Sequence, residues 1–217
     1  MDFEIARKNM VNNQLRPNGV KEPLLLQAMG EVPREIFLPH NLRTQAYCDD
    51  SINLEKGRCM INPVVLGRLI QEAHITPQDL VLIVGCTTGY SSAILGRIAK
   101  TVVAIESDPE YTQEADLFLQ DIGINNVIII PGDLTVGAPD LGPFDVILFG
   151  GAIDSVPQTY IDQLADKGRL VAVIRKIPSI GKGYLFQKER TALSEVCFLD
   201  ATIPNLPPFT PKAKFYL

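Results

Sequence analysis

No apolar run in the 217-residue chain approaches the roughly 20 residues that a membrane-spanning helix needs. The longest, such as Val127 to Ile130 and Val146 to Phe149, are strand-sized. Histidine is scarce, with only His40 and His74, and the four cysteines (Cys48, Cys59, Cys86 and Cys197) include no Cys-x-x-Cys pair. That spacing argues against a zinc site, and no metal is expected. The thiols read instead as small buried or half-buried side chains in a reducing compartment. No run of Lys and Arg occurs, and a net charge of −5 argues against a nucleic-acid partner gripped through its phosphates. The opening Met1-Asp2-Phe3-Glu4 lacks the basic-then-apolar order of a signal peptide. These absences predict a cytoplasmic protein without a membrane partner. Internal repeats and low-complexity tracts are missing too.

What is present is an apolar share of 46%, enough to build the core of one domain, with or without an appended subdomain. The pattern changes along the chain. Residues 1–76 read as a helical cover, and residues 77–217 as an α/β unit forming one compact body with it. Within the first part, residues 2–16 predict an amphipathic helix using Ile5, Met10 and Leu15, and Arg16 to Gly19 a turn. Pro23 to Met29 predicts a second helix with Pro in its first turn. Prolines then break the chain at both ends of Val32-Pro33-Arg34-Glu35-Ile36-Phe37-Leu38-Pro39. Pro63 to Ala73 predicts a third helix.

From Asp79 the elements alternate. Leu80 to Val84 is a continuous apolar run, as a strand buried on both faces requires. A helix over Ser91 to Ala99 and a strand over Val102 to Ile105 follow. Asp108-Pro109-Glu110 opens a helix with a cap, an early Pro and an acid, and Gly123 ends it. Strands are expected at Val127 to Ile130, Asp145 to Phe149 and Leu170 to Ile174, with a helix over Gln158 to Ala165. Gly183 to Gln187 and Glu195 to Leu199 have no helix between them and predict an antiparallel hairpin at the sheet edge. The fold class is therefore α/β, a doubly wound and mostly parallel sheet. Such sheets bind ligands beyond the carboxyl ends of their strands.

At that end of the first strand stands Gly85-Cys86-Thr87-Thr88-Gly89-Tyr90. Gly85 can turn where other residues cannot, Gly89 allows close packing, and the helix start offers free N–H groups to a polar ligand. Glu106 closes the second strand about 20 residues later, where an acid accepts hydrogen bonds from ribose hydroxyls. A dinucleotide site usually carries G-x-G-x-x-G; here Thr87 replaces the middle glycine and crowds a pyrophosphate. The smaller methionine moiety of S-adenosylmethionine needs less room. Asp133, after the third strand, can accept from an adenine amino group, and Gly150-Gly151 leave space beside a sulfonium. The expected cofactor contacts are Gly85, Cys86, Thr87, Gly89, Glu106, Ser107, Asp133, Leu134 and Gly150. A nicotinamide dehydrogenase is the reading that Thr87 disfavours.

These residues, with Val32 to Pro39, Ala46-Tyr47-Cys48-Asp49, Gly57 to Pro63 and Gln163-Leu164 to Val171, give the chain its likeness to a known family. It resembles the protein-L-isoaspartate (D-aspartate) O-methyltransferases along most of its length, as a divergent member. The Val-Pro-Arg-Glu block is the specific part. The resemblance implies a Rossmann-like class I methyltransferase with a seven-stranded sheet and an N-terminal cover. It implies S-adenosylmethionine as donor and abnormal aspartyl residues of damaged proteins or peptides as acceptors. Gly85, Gly89, Glu106 and Asp133 take over the family's cofactor positions.

Where the family has Gly-Gln-Thr-Ile-Ser-x-Pro, this chain has Gly57-Arg58-Cys59-Met60-Ile61-Asn62-Pro63. The serine near the acceptor becomes Ile61, which cannot hydrogen-bond there. The family's Gly-x-Gly-x-Gly turn has Thr87 in its middle, the acid ahead of it is Ile83, and Gly-Asp-Gly has become Gly132-Asp133-Leu134. No catalytic residue can be singled out, because an activated donor and an ionised acceptor need alignment rather than a strong base. Arg58, Ile61 and Asn62 are the acceptor-loop candidates. The plainer readings are a solvent-facing loop for Arg58 and a helix cap for Asn62. A changed acceptor, or a cofactor-binding protein without transfer, are the alternatives to isoaspartyl repair. The proline-rich tail Ile203 to Phe209 is expected to pack along the domain, or else to dock a second subunit. The oligomeric state is not legible.

Overall fold

A computed structural model describes residues 1–176, 180–190 and 192–210. Helix α1 (Phe3–Asn9) starts where Asp2 accepts from the Ile5 N–H, with Glu4 in its first turn, a placement that suits the helix dipole. The expected single helix then widens into π-helical turns over Met10–Leu15. The reason lies in the five-residue apolar spacing. Five steps of an α-helix rotate roughly 140° around the axis, which would part Met10 from Leu15. The wider turn brings both into the core with no exposure, while Ile5 stays 57% exposed.

Helix α2 (Pro23–Glu31) is followed by 3-10 turns at Arg34–Phe37 and His40–Gln45, so the prolines break regular structure as the sequence requires. A short hairpin, β1 (Ile52–Asn53) with β2 (Cys59–Met60), was not visible in the pattern. Its two-residue strands are too short for any periodicity to register. Helix α3 (Pro63–Glu72) is capped by the Asn62 side chain, which accepts from Val65 N–H.

The sheet comprises β3 (Leu80–Val84), β4 (Thr101–Glu106), β5 (Val127–Pro131), β6 (Phe144–Phe149), β7 (Leu164–Ile174), β8 (Lys182–Glu189) and β9 (Ala192–Asp200). Their order is β5-β4-β3-β6-β7-β8-β9, with β8 and β9 as the antiparallel edge hairpin. Helices α4 (Tyr90–Gly96), α5 (Pro109–Asp121) and α6 (Gln158–Gln163) fill the connections. α6 ends earlier than expected because β7 begins at Leu164.

Alternation along each strand divides the core in two. Val81, Ile83, Val102, Ala104, Val146 and Leu148 face one side, where α3, α4 and the N-terminal helices pack. Leu82, Val84, Val103, Ile105, Ile147 and Phe149 face the other, against Tyr160 of α6 and against Leu206 and Phe209. The tail therefore packs along the domain, as one of its two readings had it. No helix among the described residues is long and apolar enough to cross a membrane.

Candidate functional site

The carboxyl ends of β3, β4 and β6 meet at the turn after β3. Gly85 has φ 76° and Gly89 φ 94°, a backbone region that glycine enters without steric cost. Gly89 also lets two helices approach: a Cβ there would lie 3.1 Å from the Cβ of Ala115 on α5. Gly150 shows the tightest fit of all, since an added Cβ would stand 2.0 Å from the Gly85 carbonyl oxygen. Thr87 sits between the glycines at φ 55°. A β-branched residue is strained there, and this is the position where the family has a glycine.

Glu106 closes β4 and is wholly buried. Its Oε2 accepts the Thr87 N–H at 3.0 Å, and its Oε1 accepts the N–H groups of Ser107 at 2.8 Å and Asp108 at 3.1 Å. Arg58 completes the shell. Its Nη2 donates to Glu106 Oε1 at 2.7 Å, its Nε lies 3.2 Å from Oε1 and 3.3 Å from Oε2, and Nη2 also reaches the Ser107 hydroxyl at 2.8 Å. Arg58 thus stands at Glu106 instead of facing solvent, and is only 6% exposed. A charge removed from water demands such a partner, and no local pattern could have named one 48 residues away.

The other predicted residues divide between the site and its frame. Asp133 is exposed beyond β5, and the Thr135 backbone N–H and then its hydroxyl, both at 2.8 Å from Oδ1, hold its carboxyl below the usual range. Leu134 is buried, and its carbonyl accepts the Tyr160 hydroxyl. Asn62 caps α3, so its side-chain oxygen is engaged by Val65. Ile61 lines a small pocket with Cys59, Met60, Cys86, Thr87 and Gly150. Burial pushes the Cys59 thiol up to about 11, and raises Cys86 as well, with Glu106 adding to the effect. Cys197 differs from the expected half-buried thiols, lying exposed on the edge strand. No cluster of metal-ligating side chains occurs among the described residues.

Arg34 and Leu206 belong to the site although the motifs did not mark them for it. Arg34 is wholly buried and donates to the carbonyls of Ala46 at 2.6 Å and Ile61 at 2.7 Å. Leu206 lies over Gly85, 2.8 Å from where a Cβ would project. The apolar spacing of Ile203, Leu206 and Phe209 was the available signal, but it could not say which surface they cover.

The profile of the protein-L-isoaspartate (D-aspartate) O-methyltransferases matches residues 6–199. The chain belongs to that family. Among its relatives, the protein-L-isoaspartate O-methyltransferase of Koribacter versatilis is 34% identical over 202 residues, covering 91% of this chain and 90% of that one. The enzyme of the same name from Methanoregula boonei is 38% identical over 168 residues, 77% of each chain. A solved protein-L-isoaspartate O-methyltransferase superposes with a TM-score of 0.81 at 26% identity, over 92% of this chain and 65% of that longer one. A Plasmodium falciparum structure described as a complex with S-adenosyl-L-homocysteine shares the fold, with a TM-score of 0.79 at 18% identity, over 92% of this chain and 97% of that one. Membership in the isoaspartate methyltransferases makes this chain an S-adenosylmethionine-dependent O-methyltransferase, and the alternatives of a changed acceptor or a binder without transfer are not favoured.

Proposed function

We propose that the chain methylates the α-carboxylate left free in L-isoaspartyl residues of damaged proteins and peptides, where the backbone runs through the side-chain carbonyl, with Glu106 as the anchor of the donor's ribose. The observation that carries this is the Glu106 carboxylate at the end of β4, bonded across the strand ends to the Thr87 N–H of the glycine turn. The residue types fit the donor: a buried acid beside a turn with positive φ, an exposed Asp133 within the reach of an adenine, and Gly150, where even a Cβ has no room. When bound, S-adenosylmethionine supplies a methyl group already activated on a sulfonium.

The chain's own task is then alignment and exclusion of water. Gly85, Cys86, Thr87 and Gly89 present backbone to the donor's amino-acid end. Ser107 and Leu134 flank the nucleoside. The acceptor carboxylate is ionised at neutral pH, so no side chain has to remove a proton. Ile61 borders the acceptor side as an apolar wall. Asn62 and Arg34 hold the loop that carries it, one as the cap of α3 and the other through the Ile61 carbonyl.

A protein acceptor is favoured over a nucleic acid by the net charge of −5, and a cytoplasmic setting by four free thiols. The test is methyl transfer from tritiated donor to an isoaspartyl peptide, beside the same peptide with normal aspartate. Incorporation above the aspartyl control is expected. Equal incorporation in the two would end the isoaspartyl reading.

A further inference from the structure

Glu106 has no acceptor capacity to spare. An ionised carboxylate offers about four lone-pair sites. Arg58, Ser107 and Asp108 take Oε1, and Thr87 with Arg58 takes Oε2. The three backbone N–H groups are fixed by the glycine turn and by the start of α5. Ribose hydroxyls can therefore reach this carboxylate only at sites that Arg58 holds.

The loop delivering Arg58 is itself braced by the C-terminal segment. At Gly57 an added Cβ would lie 3.0 Å from Pro207 Cγ. Leu206, the preceding residue, covers Gly85 and packs its Cβ 3.2 Å from where Gly151 would carry one. Phe209 sets its ring edge-on to Phe149 and Tyr160, with centroids 5.5 and 6.4 Å away. The pocket beside Ile61 keeps only about 20 Å³ for water, room for roughly one molecule. Two remote parts of the chain close the same strand ends.

We infer that Arg58 is the gating residue of the donor site, and that Pro204–Phe209 is the cover that moves with it. The inference rests on the reading of Glu106 as the ribose acceptor. Donor binding exchanges guanidinium N–H groups for ribose hydroxyls at Glu106 and lifts Leu206 from Gly85. A buried charge-assisted pair is traded for neutral hydrogen bonds, so the closed form competes with the donor. Apparent affinity falls by the fraction of molecules that are open. The glutamine that the family carries at position 58 brings no charge to this carboxylate.

The full chain is titrated by calorimetry with S-adenosylhomocysteine, as wild type, Arg58→Gln and Leu206→Ala, and hydrogen exchange is followed at the Leu206 amide. Arg58→Gln binds about tenfold or more tightly than wild type, and Leu206→Ala shifts in the same direction. Saturating nucleoside speeds exchange at the Leu206 amide, which in the closed form donates to the Ala152 carbonyl at 2.7 Å. Affinity unchanged or weakened in both variants overturns the gate, as does exchange at Leu206 that saturation leaves unaltered. Failure of every variant and of wild type to bind the nucleoside overturns the reading of Glu106, and the gate with it. Should a melting curve show Arg58→Gln unfolded, Leu206→Ala and the exchange data decide alone.

Discussion

Arg34 spans 27 residues of sequence to donate from Nη2 to the carbonyl of Ile61 at 2.7 Å. Its Nε holds the Ala46 carbonyl at 2.6 Å, and its guanidinium lies 4.7 Å from the centre of the Tyr90 ring. The Val-Pro-Arg-Glu block thus sets the position of the loop Gly57 to Pro63. It does so through a buried cation held by two carbonyls and an aromatic face rather than by a carboxylate.

Arg34→Ala leaves two buried carbonyls unpaired, and each costs about 1–3 kcal/mol. A loss of about 3 kcal/mol or more is expected in urea unfolding, taking the cavity into account. Arg34→Lys recovers little, because a single ammonium cannot bridge both carbonyls and stack on Tyr90. Full stability in the lysine variant would show that the fork geometry is unimportant.

Ile61→Ser restores the hydroxyl that the family carries. If this loop meets the acceptor, isoaspartyl methylation rises, through kcat, KM or both. The variant loses an apolar contact in a site only 5% exposed, at about 1–3 kcal/mol. A folded variant with an unchanged rate places the acceptor elsewhere.

Thr87→Gly relieves the one non-glycine residue at positive φ in the turn Gly85 to Gly89. The left-handed region costs a non-glycine residue roughly 1–2 kcal/mol, and glycine returns about 0.5–1 kcal/mol of that through unfolded-state entropy. The Thr87 hydroxyl contributes little to offset this, since its contact with the Gly85 carbonyl is long at 3.4 Å. A rise of about 1–3 °C in Tm is expected for a chain of this size. A lower Tm would show that the methyl or hydroxyl of Thr87 packs more usefully than its backbone conformation costs.

Alkaline stability depends on Cys59, whose thiol burial pushes up to about 11. The unfolded thiol ionises near 8.5, so between those values the folded state holds a proton that the unfolded state has released. Stability from this group is complete below about pH 8.5 and falls as pH rises toward 11, by at most about 1.4 kcal/mol per unit. Unfolding of wild type and Cys59→Ala at pH 8 and pH 10 isolates the effect. Equal pH dependence in the two chains would remove Cys59 as its source.

The elements that sequence made legible are those whose burial follows a local period. The run Leu80 to Val84, the cap and early proline of α5, the edge hairpin and the order of alternating strands and helices all appear in the structure near their predicted bounds. Each is fixed by contacts that an even or a helical repeat already encodes. The π-helical turn at Met10–Leu15 shows the limit. Its apolar spacing fits no ordinary helix, and packing against the core rewound the backbone.

Within Val81 to Glu106 the sequence sets turn, helix start and acid on one β-α-β stretch, the pattern expected of a nucleoside cofactor, and Thr87 with Asp133 tilted that expectation toward S-adenosylmethionine. Tertiary structure alone decided what stands around that acid. Arg58 arrives from the hairpin loop, Leu206 from the far end of the described chain, and Arg34 ties down the loop carrying Ile61. Sequence offered Arg58 either as a contact for the acceptor or as a solvent-facing loop residue. Only the crossing of distant segments at the carboxyl ends of the strands could say that the partner is Glu106.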